Sequence, residues 1–403
     1  MNVNNRISVR INKLSISIQD LLLYIVYGFV ITSSIVNKNA HASGYVFMIP
    51  AILVTYVYSF LICNHKNIKK SYYIYLFFIG ITLIFSTLFS TTLPETKYEI
   101  ILSVLIWHLF FIALTQIEYS KINVISIFNI YLIIAVILSV MGLANAYNGV
   151  VNEAGRASIF VFGIRKDGNY FSAFLAPGFC YAFFRFLFVK RKTWYYLIAG
   201  VIILLGIYMT GSRAGFASVI LSAVILIAAF LFKTGFTARK LIIFCFITAF
   251  VVLLYRFFSN TNLFQRMLAS DSYSNDIRLV IWGKAIEAFK ISPIFGSGRG
   301  SGEYFARMAT AHVIHNSFIE LLCDQGIVGV LLFLCLFAKM FFVKKSNIVI
   351  MIAFFVSCFA PLFFISAYQT CGWWLPIALC LIMAEKLQSE DASVVFDVSK
   401  NID

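Results

Sequence analysis

Long apolar runs fill this chain, and short polar segments punctuate them. A helix crosses a bilayer with about 20 largely apolar residues. Windows of that kind fall at about 19–36, 44–63, 71–90, 99–116, 122–142, 168–189, 193–210, 213–232, 239–258, 314–338, 347–366 and 370–386. The pattern predicts an all-α fold, a polytopic transmembrane helical bundle of about twelve spans. The first window is short, and 193–210 and 213–232 have almost no loop between them. Residues 1–18 form an N-terminal segment, 19–386 a single transmembrane domain, and 387–403 a polar tail expected to be mobile. Arg6, Arg10 and Lys13 precede the first apolar run, as in a signal peptide. That run lacks a small-x-small cleavage pattern, so an uncleaved first span is expected.

Composition agrees with this pattern. With 61% hydrophobic and 12% charged residues, an ordinary soluble domain is excluded. The net charge of +15 would by itself suggest nucleic acid. The basic residues instead cluster between apolar runs, and no nucleic-acid module is visible, so no nucleic-acid partner is expected. The eight cysteines lie in or beside apolar runs, with no CxxC pair, and read as packing residues.

The basic clusters also orient the chain. With the N-terminus inside, the cytoplasmic segments hold Lys66/Lys69/Lys70, Lys121, Lys190/Arg191/Lys192, Lys233/Arg239/Lys240, Lys339/Lys344/Lys345 and Lys386. This is the positive-inside pattern, and it puts both termini in the cytoplasm. Two outward loops, 143–167 and 259–313, are long and polar, and they keep arginines on the outer face. Long loops translocate regardless of charge, so these basic residues suggest binding more than topology. Within the second loop, Arg278 to Lys290 carries Leu279, Ile281, Trp282, Ile286 and Phe289 among charges. It reads as an amphipathic helix ending near Ser292-Pro293.

Candidate chemistry gathers at the starts of outward helices. Arg213 follows Thr210-Gly211-Ser212 and precedes the small residues Ala214, Gly215, Ala217 and Ser218. A guanidinium at a helix N-terminus makes an anion site and holds phosphate oxygens bidentately. An interfacial anchor snorkelling to the headgroups would present the same pattern. His315, with Asn316 beside it, opens another span and is a candidate proton acceptor, or else an interfacial capping histidine. Glu320 lies about one and a half turns on and orients His315 only if the helix starts irregularly. His312 and His315 make a His-x-x-His pair, but no clear third ligand follows, so no metal is expected.

Arg278 and Trp282, four residues apart, suit a diphosphate and a sugar, or else a surface helix anchored by tryptophan. Arg299, inside Gly296-Ser297-Gly298-Arg299-Gly300-Ser301-Gly302, is a flexible-loop candidate for the same anion. The loop lacks the ending of a P-loop. Asp167 reads as a helix cap, Asp324 as a carboxylate needing a partner, and Gly326 as a kink site.

These segments resemble the bacterial O-antigen polymerase / O-antigen ligase superfamily of integral membrane glycosyltransferases. The resemblance rests on an ordered set of phrases. They are Asp167-Gly168-Asn169, Gly211-Ser212-Arg213-Ala214-Gly215, Arg278-x-x-x-Trp282, Pro293-Ile294-Phe295-Gly296-Ser297-Gly298, and His315-Asn316-Ser317-Phe318-Ile319-Glu320 followed by Gln325-Gly326-Ile327-Val328-Gly329. They span most of 150–340, and the first five windows add only hydrophobicity.

The resemblance implies a glycosyltransferase-C-like helical bundle in the bacterial inner membrane, working at its periplasmic face without metal or other cofactor. The substrate would be an undecaprenyl-diphosphate-linked oligosaccharide. A chain-length regulator and other polysaccharide-assembly proteins are further candidate partners. The family's motif arginine falls on Arg213, its loop arginine on Arg278 and its helix-start histidine on His315. His315 is then the expected catalytic base, and Arg213, Arg278, Arg299, Trp282, Asn316 and Glu320 the expected substrate-binding set. A polymerase passes the glycan to another lipid-linked repeat unit, and a ligase passes it to lipid A–core. The Asp-Gly-Asn turn and the Gly-Ser-Gly loop favour the polymerase. A transporter of lipid-linked glycans or anions is the competing class, but no inverted repeat supports it.

Overall fold

The computed structural model describes residues 8–11, 14–36, 50, 52–59, 70–90, 101, 108, 110–115, 117–150, 159–161, 164–189, 194–233, 241, 245, 252, 256, 259–261, 264–265, 272–310, 313–368 and 371–396. Most of these residues are helical. Two small antiparallel hairpins, β1 (Ser8–Ile11) with β2 (Leu14–Ser17) and β3 (Ile159–Val161) with β4 (Ile164–Lys166), are additions that the apolar pattern did not foreshadow.

The main helices are α1 (Ile18–Val36), α2 (Lys70–Leu88), α3 (Lys121–Tyr147), α4 (Gly168–Phe188), α5 (Trp194–Met209) and α6 (Arg213–Lys233). They continue with α7 (Ser272–Ile291), α8 (Ser301–Thr310), α9 (Ser317–Ala338), α10 (Ile348–Phe359), α11 (Cys371–Lys386) and α12 (Ala392–Val395).

Among the described residues, five helices are long and apolar enough to cross a membrane: Lys121–Tyr147, Gly168–Phe188, Arg213–Phe232, Ser317–Phe341 and Lys345–Phe364. Shorter apolar helices cover Ile18–Thr32, Phe77–Leu88 and Trp194–Met209. The windows 44–63, 99–116 and 239–258 lie mostly outside the described residues, and 19–36, 71–90, 193–210 and 370–386 hold shorter helices, so five span-length helices stand where about twelve spans are expected. Exposed apolar side chains run in stripes, such as Leu21, Ile25 and Phe29 on α1 or Ile133 and Ile137 on α3. Spacing of four places each stripe on one face. Faces of this kind suit lipid and would be a liability in water.

Local chemistry sets the helix starts. Ser17 and Asp20 bond reciprocally at the start of α1, in the manner of a capping box. Ser120 accepts from the Asn123 amide ahead of α3, and Asp167 accepts from the Asn169 amide ahead of α4. A bilayer offers no hydrophobic drive between helices, so association rests on close packing. The inner contacts are accordingly aromatic: Trp373 is fully buried among Phe318, Phe333, Phe337 and Tyr368.

Gly326 breaks α9 with φ 62 and ψ −161. Irregular backbone at membrane depth survives only where its polar groups are satisfied. Here the Gly-Ser-Gly loop satisfies them. The amides of Ser297 and Gly298 donate to the Cys323 and Asp324 carbonyls, and those of Ile327 and Val328 donate to Pro293 and Ile294. The segment read as a flexible substrate loop is thus a clasp on a kinked helix. Gly296 (φ 78) lies so close that a Cβ there would sit 2.3 Å from the Asp324 carbonyl oxygen.

The tail corrects a second expectation. Residues 387–396 are packed, because Asn347 bonds the Leu387 and Glu390 carbonyls and receives the Ala392 amide. Lys121 pairs with Glu390 at 2.6 Å and Lys344 with Asp391 at 3.3 Å. Phe396 is fully buried against Phe128, Tyr181 and Phe184. This docking lies at the end of the bundle where α3 begins and α9 ends.

Candidate functional site

The other end of the bundle holds the starts of α4, α6 and α9. Asn316 caps α9, its side-chain oxygen accepting from the Phe318 and Ile319 amides at 3.0 and 3.1 Å. The residue before it, His315, has φ 54 and is the one non-glycine residue with positive φ among the described residues. That region costs an L-residue about 1–2 kcal/mol, so surrounding structure must impose it.

The imposing structure is the irregular segment 365–368, which follows a 3-10 turn at Ala360–Phe364. The His315 amide donates to the Ser366 hydroxyl at 2.8 Å. Ser317 donates to the Ile365 carbonyl and accepts from the Ala367 amide. The Tyr368 amide donates to Glu320 Oε2 at 3.3 Å, and Ser366 shares a side-chain hydrogen bond with the same carboxyl. From α4, the Tyr170 hydroxyl donates to the Ser366 carbonyl at 2.7 Å and accepts its amide at 3.0 Å. Every polar backbone group named here has a partner, as non-helical chain inside a bundle requires.

Helix α7 lies across this junction. Trp282 Nε1 donates to the Ile314 carbonyl at 3.0 Å, and the Arg278 guanidinium carbon lies 5.7 Å from the centre of the Phe364 ring, a cation–π distance. The two residues read as an i, i+4 pair therefore flank the His315–Ser366 bond from one helix. Arg213 opens α6 after a turn at Gly211 (φ 61). Gly215 abuts the Ser172 side chain so closely that a Cβ would sit 2.3 Å from it. Small residues thus let the α6 start lean on the first turn of α4, next to Tyr170. The expected anion site is modified in one respect: Ser212 Oγ already accepts the Gly215 amide, so that donor is not free for a ligand.

Of the expected binding set, Arg278, Trp282, Asn316 and Glu320 gather with His315 around segment 360–368, while Arg213 opens a helix whose start rests on α4 at Ser172. Asn316 and Glu320 are buried and bonded within the protein, which makes them parts of the frame. Glu320 is linked to His315 only through Ser366, whose hydroxyl accepts the His315 backbone amide. Arg299 stands apart. Its amide donates to Thr87, and its neighbours Gly300 and Ser301 bond Asp324, about 12 Å along α9 from Asn316. Asp324 thereby has the partners that a buried carboxylate needs.

His312 lies outside the described residues, and among the described residues no cluster of His, Cys, Asp and Glu is arranged to hold a metal ion. Tyr170 and Ser366 went unnoticed in the sequence as parts of the site. Tyr170 ends the Asp-Gly-Asn-Tyr phrase, whereas Ser366 sits at the edge of an apolar window with no local signal.

Apolar helices with lipid-suited faces define a multi-pass membrane protein. Residues 198–334, about a third of the chain, match the family model described as O-antigen ligase. The match supports a place in the O-antigen polymerase/ligase superfamily of membrane glycosyltransferases. No curated protein matches the chain. The matched segment contains Arg213, Arg278, Trp282, Arg299 and His315, but not Tyr170 or Ser366.

Proposed function

We propose that the protein is an O-antigen or capsular polysaccharide polymerase. It transfers an undecaprenyl-diphosphate-linked glycan to the non-reducing end of another lipid-linked repeat unit, at the periplasmic face of the inner membrane. The observation that carries this reading is the left-handed His315 at the α9 start, held by Ser366 and with Arg278 on α7 beside the same 360–368 segment. Orientation is supported by the opposite end, where Lys121, Lys344 and Lys345 collect, as cytoplasmic ends do.

The chemistry follows from the substrate. A lipid diphosphate is already an activated leaving group, so neither ATP nor a metal is needed. Arg213 and Arg278 neutralise charge as it grows on the departing bridging oxygen. His315 accepts the proton of the acceptor hydroxyl while that oxygen attacks the anomeric carbon. Direct displacement inverts that centre, and no carboxylate pair of the glycosidase kind is required. The ligase reading, with lipid A–core as acceptor, draws on the name of the matching family.

One assay separates the readings. Purified protein is given a synthetic lipid-diphosphate repeat unit, with and without lipid A–core. A ladder of lengthened glycans supports the polymerase, and transfer to lipid A–core alone supports the ligase. Neither product from folded protein sinks both. Chelator should leave turnover unchanged, and loss of activity restored by a divalent cation would overturn the metal-independent reading.

A further inference from the structure

Two residues outside the family-matched segment hold the backbone of His315. Ser366 does so directly, and Tyr170 holds Ser366 at both its amide and its carbonyl. A serine hydroxyl has one proton. Ser366 shares its side-chain hydrogen bond with Glu320, and its oxygen accepts the His315 amide. A chain of bonds therefore links the His315 amide through Ser366 to the buried Glu320 carboxyl. Glu320 is tied in place in turn by the Tyr368 amide.

We infer that Ser366 and Tyr170 are positioning residues for the transfer reaction, keeping His315 in its left-handed conformation so that the imidazole meets the acceptor hydroxyl. The inference rests on the reading of His315 as the proton acceptor. Its physical basis is the positive φ: without an acceptor for its amide, His315 relaxes toward the ordinary extended or helical regions, and the ring swings with the backbone. The role is distinct from substrate binding, because the Tyr170 and Ser366 contacts described here are made within the protein.

The test compares Ser366→Ala, Ser366→Thr and Tyr170→Phe with the parent in the lipid-diphosphate transfer assay. Unfolding temperature and elution in detergent serve as folding controls. Ser366→Ala should lose about 100-fold in kcat, as a misplaced catalytic group does, with the donor KM unchanged. Ser366→Thr keeps the hydroxyl and should recover most of that loss. Tyr170→Phe should also lower kcat and spare KM.

Wild-type kcat in folded Ser366→Ala, beside an inactive His315→Ala, overturns the inference and leaves the proposed function standing. Equal losses in Ser366→Ala and Ser366→Thr, or a rise in KM that accounts for the loss, overturn it too. Full activity in His315→Ala would instead remove the reading on which it rests. Should Ser366→Ala fail to fold, the kcat of Tyr170→Phe decides alone.

Discussion

The indole Nε1 of Trp282 donates to the carbonyl oxygen of Ile314 at 3.0 Å, one residue before His315. Ile314 is fully buried, so no water replaces that donor. The bond ties α7 to the start of α9 at the point where the backbone turns left-handed. Trp282→Phe keeps an aromatic ring but leaves the carbonyl unsatisfied, at a cost of about 1–3 kcal/mol. The expected outcome is a lower unfolding temperature together with reduced turnover. Unchanged values for both would show the bond to be incidental.

Arg213 opens α6 where Gly211 turns the chain and Gly215 brings the helix against Ser172. Arg213→Lys keeps the charge and loses the planar fork that grips two phosphate oxygens. Turnover should fall about 100-fold or more, as when one transition-state donor is removed. A lysine variant with parental kinetics would identify Arg213 as a simple charge at the interface.

His315→Ala should lower turnover by about 100- to 10,000-fold, the usual contribution of a general base. Donor binding, followed by protection of the labelled lipid diphosphate, should persist because the arginines remain. Binding lost in proportion to rate would mean that the imidazole contacts the donor.

Gly326 occupies a region of backbone space open in practice only to glycine, and a Cβ there would lie 2.5 Å from the Ile294 carbonyl oxygen. Gly326→Ala is expected to destabilise by about 3 kcal/mol or more, from strain and from loosening of the clasp. Thermal unfolding in detergent measures this, and a stability equal to the parent's would mean that the kink is not needed for the fold.

The docked tail separates stability from catalysis, because it lies at the end of the bundle away from His315. Phe396→Ala empties a fully buried aromatic position and should cost about 3 kcal/mol. Lys121→Ala should cost less than about 1 kcal/mol, since both partners of its ion pair with Glu390 are about a third exposed. Turnover per folded molecule should stay at the parental value in both. A loss of turnover without loss of stability would point to coupling between the two ends.

Much of this was legible in the chain. The apolar windows at 122–142, 168–189, 213–232, 314–338 and 347–366 coincide with the five span-length helices, because length and hydrophobicity are properties of contiguous residues. The cap at Asp167, the end of α7 before Pro293 and the kink at Gly326 were legible for the same reason. Two short hairpins and the packing of the tail were not. A four-residue strand or a lone Phe396 carries little signal until a partner surface exists.

By itself the chain determined a helical membrane protein with arginines and a histidine waiting at helix starts. Only the tertiary structure decided which of them belong together. Arg278 and His315 are brought to one junction by the segment 360–368, while Arg299 is carried to the α9 kink by the backbone bonds of its loop. The reason is physical. Caps, kinks and spans arise from interactions among near neighbours, whereas a bond such as His315 to Ser366 joins residues 51 apart and exists only once the helices between them have packed.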